Sequence, residues 1–213
     1  EDIDDVVYSE EGLFSQWASN RLSIPPKGYD SRGITGFAAR REALGVGKSN
    51  VLHQITGTSN DNFRVVKVSD QIGIEAAESV VVYRDTAFWL WKDGVYKWDS
   101  GGIECISDGK VRSWFTTDTY FNRSRFQYAF ATIDPISNKY RLHLANAGDS
   151  TENRWIEYSL IDRTWWGPHQ RDDLTPSSAF LLYNASDVAI PCMGNTTGFI
   201  WRDQATRTDG AST

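Results

Sequence analysis

Aspartates at predicted turns are the residues of this sequence that could carry catalysis. Glycosidases hydrolyse their substrates with Asp and Glu side chains that separate structural units bring to one cleft. The candidates, which all fall at strand ends or turns, are Asp70, Asp85, Asp108 and Asp134. Asp is also an ordinary turn residue, because its side chain accepts hydrogen bonds from nearby backbone N–H groups. The turn role is favoured, so we predict no catalytic residue and no enzymatic activity.

The Trp165-Trp166 pair in "DRTWWGPHQRDD" could form a platform on which a sugar ring stacks. Successive side chains of a strand point to opposite faces, so one indole is expected outside when the other is inside. Alternatively, one indole fills the core between sheets while the other packs under a loop, and this structural role is favoured. Together with Asp134, the two Trp residues form the candidate site of a carbohydrate-binding alternative.

Other catalytic and metal-binding chemistry lacks support in the sequence. His53, His143 and His169 have no partner at metal-ligand spacing, and Cys105 and Cys192 lie far apart, outside any CxxC pattern. We expect two buried free thiols. No nucleophile elbow, zinc-binding helix, phosphate-binding glycine-rich loop or EF-hand pattern is present. We therefore predict no metal and no cofactor.

The composition favours a folded, all-β protein. Hydrophobic residues make up 40% of the 213 positions and aromatic residues 13%, which is enough apolar side chain for a sizeable core. There are nine Trp, nine Tyr and ten Phe, and bulky flat side chains of this kind favour half-buried strands. No apolar run approaches the roughly 18 residues of a membrane span, so we expect no membrane partner.

The net charge argues against tight binding to nucleic acid. The chain carries a formal charge of −6 at pH 7, and it has no Lys/Arg-rich run that would neutralise the phosphates of duplex DNA. Duplex DNA is therefore expected to bind at most weakly.

The stretch "KDGVYKWDSGG" predicts a β-hairpin. It follows "TAFWLW" directly, so two aromatic-rich runs flank the pair Asp93-Gly94. Gly accepts positive φ freely and Asp tolerates it, which suits the tight turn between antiparallel strands. Asp93 and Gly94 are therefore predicted to be a structural turn, and "ESVVVYRDTAFWLW" predicts two further strands around Arg84-Asp85.

The same pattern of a polar turn and a short bulky run recurs along the chain, with anchors at Val7, Val51, Val95, Trp155 and Phe199. Three of the four intervals between successive anchors are 44 residues long and the remaining one is 60; a period in the forties suits a four-stranded blade. We predict a β-propeller-like array of antiparallel meander blades, in a single domain over residues 1–213. A β-sandwich is the alternative. The sequence lacks an initiating Met and ends in a polar stretch, so we expect a fragment of a larger protein.

The amino-acid sequence resembles those of the propeller-forming virion proteins of tailed double-stranded DNA phages, namely packaged-DNA stabilisation and tail-nozzle-like proteins. The resemblance extends from about Val7 to Gly210 and is carried by "GITGF", "NFRVVKVSDQIGIEAAESVVVYRDTAFWLWKDGVYKWDSGGIECISD", "NKYRLHLA", "NRWIEYSLIDRTWW" and "GNTTGFIWRDQATRTDG". Its longest piece comprises two strand-turn-strand units and brings no catalytic constellation with it.

The resemblance implies a structural component of the virion, in the tail or in the head-to-tail neck. Such a subunit would form a cyclic ring or nozzle with copies of itself, contact other tail or neck proteins, and surround the path of DNA ejection. An acidic lumen would let DNA slide without sticking, which agrees with the negative charge. The alternative function is a carbohydrate-binding or glycoside-hydrolysing β-propeller.

Overall fold

A computed structural model gives the fold of the chain over residues 4–9, 20–25, 33–59, 61–170 and 175–202. These residues form seventeen strands, two 3-10 turns (Ala77–Ser79 and Arg123–Tyr128) and one α-helical turn (Ser113–Thr116). No helix among them is long and apolar enough to cross a membrane. The strands are β1 Asp5–Val7, β2 Arg21–Ser23, β3 Gly36–Ala39, β4 Leu44–Gly47, β5 Leu52–Thr56, β6 Arg64–Ser69, β7 Val81–Tyr83, β8 Thr86–Trp91, β9 Gly94–Asp99, β10 Gly102–Cys105, β11 Phe130–Asp134, β12 Lys139–Leu144, β13 Arg154–Ser159, β14 Trp165–Gln170, β15 Ser178–Tyr183, β16 Ala189–Gly194 and β17 Ile200–Arg202.

The chain divides into two compact units, residues 1–106 and 107–213. The prediction of a single domain over the whole chain stays a prediction. The first unit contains a two-stranded sheet, β1-β2, and two four-stranded sheets, β3-β4-β5-β6 and β7-β8-β9-β10. The second unit contains a four-stranded sheet, β11-β12-β13-β14, and a three-stranded sheet, β15-β16-β17. Every described pairing between strands is antiparallel and joins neighbours in the chain.

Apolar side chains fill the space between the sheets of the first unit. The core between β3–β6 and β7–β10 includes Ala38, Leu52, Trp89 and Trp98, which are all essentially inaccessible to solvent. A second core, around Ile24, Val46 and Ile55, lies between the β1-β2 sheet and β3–β6. The sheet β3–β6 is therefore packed on both of its faces, as an inner blade of a stack must be.

The predicted repeat marks equivalent positions in the structure. Val95 and Trp155 lie in β9 and β13, the third strands of their sheets, while Val51 and Phe199 come directly before β5 and β17, which are also third strands. Val7 ends β1. Four of the five anchors thus fall at the third strand of four successive sheets, because each meander repeats the same order of strands and turns.

First strands of successive sheets lie next to each other within each unit. Strand β3 contacts β7, and β11 contacts β15. Adjacent first strands in a series of four-stranded meanders are the arrangement of propeller blades. The fold is therefore all-β, a propeller-like array of antiparallel meander blades, as the sequence predicts.

The hairpin predicted around Asp93 is present between β8 and β9, but its turn lies one residue earlier. Gly94 pairs with Trp91 and begins β9, so the two turn residues are Lys92 and Asp93. Neither Asp93 nor Gly94 has a φ in the left-handed region. The predicted turn is therefore shifted by one residue, since Gly94 is already paired in the ladder. The Asp93 carboxylate accepts a hydrogen bond from the Tyr96 hydroxyl at 2.8 Å.

A turn with two left-handed residues occurs instead at Arg84-Asp85, which have φ of 48° and 64°. They join β7 to β8, with Tyr83 paired to Thr86 across the hairpin. Two residues of positive φ match the right-handed twist of the flanking strands. The two strands predicted around Arg84-Asp85 are thus confirmed.

Candidate functional site

One face of the β11–β14 sheet gathers the charged and ring side chains that could form a site. Side chains two residues apart on a strand share a face, so the pairing register identifies this set. Its members are Phe130, Thr132, Asp134, Lys139, Arg141, His143, Trp155, Glu157, Trp166 and His169. The opposite face is apolar and includes Ile133, Leu142 and Ile156, which are buried. We call the first set the polar face.

Asp134 ends β11 and holds the following turn in place. Its carboxylate accepts hydrogen bonds from the backbone N–H groups of Ile136 and Ser137, at 3.0 and 3.2 Å, and from the Ser137 hydroxyl at 2.5 Å. Arg141 lies 3.4 Å from the same carboxylate. Burial by itself raises the pKa of Asp134, but the Ser137 hydrogen bonds and the Arg141 charge outweigh it and lower the pKa. Asp134 therefore acts as an ionised turn anchor.

Glu157, at the middle of β13, lies between two cations of β12. Its carboxylate oxygens lie 2.8 Å from Arg141 Nε and 2.6 Å from Lys139 Nζ. Burial raises the pKa of Glu157, but the hydrogen bond from Lys139 and the charges of Arg141 and Lys139 outweigh it, so that the pKa is lowered. Asp134, Arg141, Glu157 and Lys139 thus form a continuous line of alternating charge across three strands.

Four rings form a ladder across the polar face, one from each strand. The ring centres of Phe130 and His143 are 4.7 Å apart, those of His143 and Trp155 are 6.2 Å apart, and those of Trp155 and His169 are 5.1 Å apart. All three contacts are stacked and join residues that are directly opposite in the pairing register. Such cross-strand aromatic pairs stabilise a sheet and fix its register.

The two candidate Trp residues lie on opposite faces, as the alternation of side chains predicts. Trp165 is half-buried, and its ring centre lies 5.0 Å from that of Tyr158. Trp166 belongs to the polar face and is 56% exposed. Lys139 Nζ lies 6.0 Å from the centre of the Trp166 ring. Trp166 is therefore an accessible indole beside the Lys139–Glu157 ion pair.

The structure brings together only part of the predicted carbohydrate site. Trp166 and Asp134 share the polar face, but Asp134 is 3% exposed and Trp165 lies on the other face. Sequence reasoning missed Lys139, whose Nζ lies 6.0 Å from the centre of the Trp166 ring, and Glu157, which is opposite Trp166 in the pairing register. Their alternation with apolar neighbours in "KYRLHL" and "RWIEYS" is a signal that places them on one face, but their pairing depends on the register between strands.

The carboxylates of Asp134 and Glu157 are buried and lie against cations, and their lowered pKa values favour the ionised form over the protonated form that a general acid needs. Among the residues that the structure describes, no three or more His, Cys, Asp and Glu side chains are grouped so that they could hold a metal ion. Cys105 and Cys192 are free thiols, of which Cys192 is buried and Cys105 half-buried.

A separate cavity of about 460 Å³ lies in the first unit, beside the β1-β2 sheet. Its lining includes the apolar side chains of Val6, Leu22 and Phe63, together with the charged residues Arg40, Arg41 and Glu42.

The three-stranded sheet of the second unit exposes several large apolar side chains. These residues lie at both ends of the sheet, and their exposed fractions range from 41% to 64%. They are Leu182, Tyr183, Val188, Phe199 and Ile200. The residues of this sheet that lie between them, such as Cys192 and Met193, are buried.

Comparison with known proteins gives no family for the chain. No family model matches the sequence, and no curated protein matches it. Among solved structures, the extracellular domain of a one-component system from B. thetaiotaomicron aligns at 11% identity with a TM-score of 0.46. This alignment covers 84% of the present chain and 23% of that chain. The N-terminal domain of Nup159 aligns over 95% of the present chain and 70% of its own, at 11% identity and a TM-score of 0.37.

Proposed function

We propose that the protein is a non-enzymatic structural component of a tailed-phage virion, located in the tail or in the head-to-tail neck. Copies of it assemble into a cyclic ring or nozzle around the DNA exit path and contact other tail or neck proteins. The proposal starts from the sequence resemblance over about Val7 to Gly210. Repeated meander blades suit it, because they give a rigid building block whose edges and faces can join further subunits.

The observation that carries the proposal is the exposed apolar surface of the β15–β17 sheet. Phe199, Ile200 and Tyr183 are 62% to 64% exposed, although they belong to a sheet whose central residues are buried. Large apolar side chains are thus exposed at either end of one small sheet, Tyr183 at one end and Phe199 with Ile200 at the other, and exposed apolar surface of this kind favours protein association. A subunit of a ring needs such a surface for its contacts with other subunits.

The state of the carboxylates also supports a structural role. Asp134 holds a turn and pairs with Arg141, and Asp85 accepts hydrogen bonds from Arg40 and from the backbone of Arg41. Each of these aspartates was a catalytic candidate in the sequence. In the structure, each carboxylate accepts hydrogen bonds that hold strands and turns together. Stabilising contacts of this kind are what a rigid virion component requires.

The proposal is tested on virus particles. Mass spectrometry of purified particles is expected to detect the protein, and gold-labelled antibody is expected to mark the tail or neck in negative-stain electron micrographs. Absence of the protein from particles would contradict the virion role. A DNA-shift assay at about 0.15 M salt, where weakly held phosphate contacts are largely screened, is expected to show only weak binding. Tight binding would contradict an inert lumen but leave the structural role intact.

Carbohydrate binding is the second candidate, and the exposed Trp166 indole favours it. A sugar ring can stack on the indole while one of its hydroxyl groups bonds to the half-buried Lys139. A glycan array is the test, with Trp166→Ala as the diagnostic variant and Trp165→Phe as the control on the opposite face. Binding that is lost in Trp166→Ala alone would support this function. A broad glycoside panel is expected to show no hydrolysis.

A further inference from the structure

The sheet β15–β17 has an unpaired outer edge among the described residues. In the sheets that begin with β3, β7 and β11, the third strand is followed by a fourth, which is β6, β10 or β14. In the last sheet, β17 is the third strand, and it is also the outermost one described. The edge of β17 therefore lies where the other sheets carry a further strand.

The other outer strands carry features that discourage pairing with a second chain. Strand β6 has the exposed cations Arg64 and Lys67 and an irregularity in its register with β5. Strand β14 contains Pro168 and a similar register shift, and β10 has the exposed charge of Glu104. Charges, proline and bulges are the devices by which natural sheets protect their edges.

Strand β17 and the residue before it show little such protection. Phe199 and Ile200 are 64% and 62% exposed, Trp201 is half-buried, and the single charge in this stretch is Arg202. An exposed edge strand with consecutive apolar residues is a template for pairing with another strand.

The ladder between β16 and β17 shows which backbone groups point outward. The N–H of Asn195 donates to the carbonyl of Phe199 at 3.1 Å, so these two residues form a hydrogen-bonded pair. Hydrogen-bonded and non-hydrogen-bonded pairs alternate along an antiparallel ladder. Trp201 therefore bonds to β16, while the N–H and C=O groups of Ile200 and Arg202 face away from it.

Strand β1 offers a matching open edge in the first unit. Among the described strands it pairs only with β2. Tyr8 N–H donates to the Asn20 carbonyl at 3.3 Å, and Ile24 N–H donates to the Asp4 carbonyl at 2.8 Å. By the same alternation, the backbone groups of Asp5 and Val7 face away from β2.

We propose that β17 of one copy pairs antiparallel with β1 of a second copy, which places Ile200 opposite Val7 and Arg202 opposite Asp5. The register follows from the backbone groups that face away from each strand's own partner. Each strand has two residues with such outward N–H and C=O groups, and one residue lies between them. It sets two exposed apolar side chains against each other and places Arg202 opposite Asp5, whose carboxylate also lies 3.6 Å from Arg21 on β2. Two such pairs form about four backbone hydrogen bonds. This pairing rests on the proposed homo-oligomer and identifies the surfaces that join its subunits head to tail.

Removing one outward donor is the first test of the pairing. Ile200→Pro deletes the outward N–H but leaves the bonds of Trp201 to β16, whereas Ile200→Val keeps the N–H and an apolar side chain. Sedimentation of the intact protein is expected to show at least about tenfold weaker association for Ile200→Pro and little change for Ile200→Val. An oligomer that Ile200→Pro leaves intact would contradict the pairing while leaving the virion role standing.

A cysteine pair tests the register directly. Opposed residues of a hydrogen-bonded pair have Cα atoms about 5.5 Å apart, within the range of a disulfide. The double variant Val7→Cys with Ile200→Cys is expected to give covalent oligomers on a non-reducing gel, and each single variant is expected to give none. A band that stays monomeric but forms an internal disulfide would overturn pairing between copies. If the unchanged protein is monomeric at all concentrations, the homo-oligomer itself is contradicted.

Discussion

Arg40 of the β3–β4 turn reaches across to Asp85 of the β7–β8 turn and joins two neighbouring sheets. Its Nε donates to the Asp85 carbonyl at 2.9 Å, and a terminal nitrogen lies 3.2 Å from the Asp85 carboxylate. The guanidinium also lies 4.6 Å from the centre of the Trp98 ring. Through these contacts, one side chain orders a turn of the next blade and covers the edge of the core between the two sheets.

Replacing Arg40 is expected to destabilise the first unit. Arg40→Met keeps an apolar stem but loses the contacts to Asp85 and the charge over Trp98, which together are worth about 1 to 2 kcal/mol. Arg41→Met is the matched control, because Arg41 bonds to Asp85 through its backbone N–H, which the substitution keeps. Urea denaturation is expected to show the loss in Arg40→Met alone. Equal effects of both substitutions would contradict the role of the Arg40 side chain.

The charged line of the polar face is expected to make the second unit sensitive to acid. The pKa values of Asp134 and Glu157 are lowered in the folded state, so folding is favoured by their ionisation. Their contribution is fully present above the unfolded pKa values of about 4 and is lost as the pH falls through the folded values. The free energy of unfolding is therefore expected to decrease below about pH 4 to 5.

Asp134→Asn tests the source of this acid sensitivity. It is expected to cost about 1 to 3 kcal/mol at pH 7, because it removes a charged acceptor from a buried network, and to flatten the pH dependence. Asp70→Asn is the control, because the ion pair of Asp70 with Lys67 is 3.7 Å long and exposed. Urea unfolding of the two variants, measured at intervals of about half a pH unit between about pH 3 and 7, compares their pH dependence. Parallel pH curves for Asp134→Asn and the unchanged protein would refute the assignment.

The sequence predicted the order of strands better than it predicted the turns and the site. Hairpin spacing is local, so the anchors Val51 and Val95 fell at equivalent strands. The left-handed turn occurs at Arg84-Asp85, without Gly, because Arg40 holds it from a distant part of the chain. The ion pair between Lys139 and Glu157 spans 18 positions and depends on strand register, which local residue patterns do not specify.

The left-handed turn at Arg84 is expected to reject β-branched residues. Arg84→Val forces a branched side chain into a conformation with φ of 48° and is expected to cost about 1 to 2 kcal/mol. Ser100→Val, in the exposed turn between β9 and β10, is the control, since Ser100 has no left-handed φ; its effect is expected to stay within about 0.5 kcal/mol. Thermal and urea denaturation of the two variants measure the difference. A cost below about 0.5 kcal/mol for Arg84→Val would argue against the assigned turn conformation.

At Gly73, the segment between β6 and β7 lies directly against the β4–β5 turn. A Cβ atom at Gly73 would lie 1.9 Å from the Lys48 carbonyl oxygen and 2.6 Å from the Ser49 carbonyl carbon. The Gly73 carbonyl also accepts a hydrogen bond from the Trp89 indole at 2.8 Å, so the segment cannot withdraw without breaking that bond.

Gly73→Ala is therefore expected to destabilise the protein by about 3 kcal/mol or more, since the clash is with backbone rather than with a flexible side chain. Gly101→Ala is the matched control, because its Cβ would meet only the Asp99 carboxylate oxygen, at 3.1 Å. Urea denaturation measures both. If Gly73→Ala were as stable as Gly101→Ala, the close contact between Gly73 and the β4–β5 turn would be contradicted. The position of Trp89, which bonds to the Gly73 carbonyl, would then be contradicted as well.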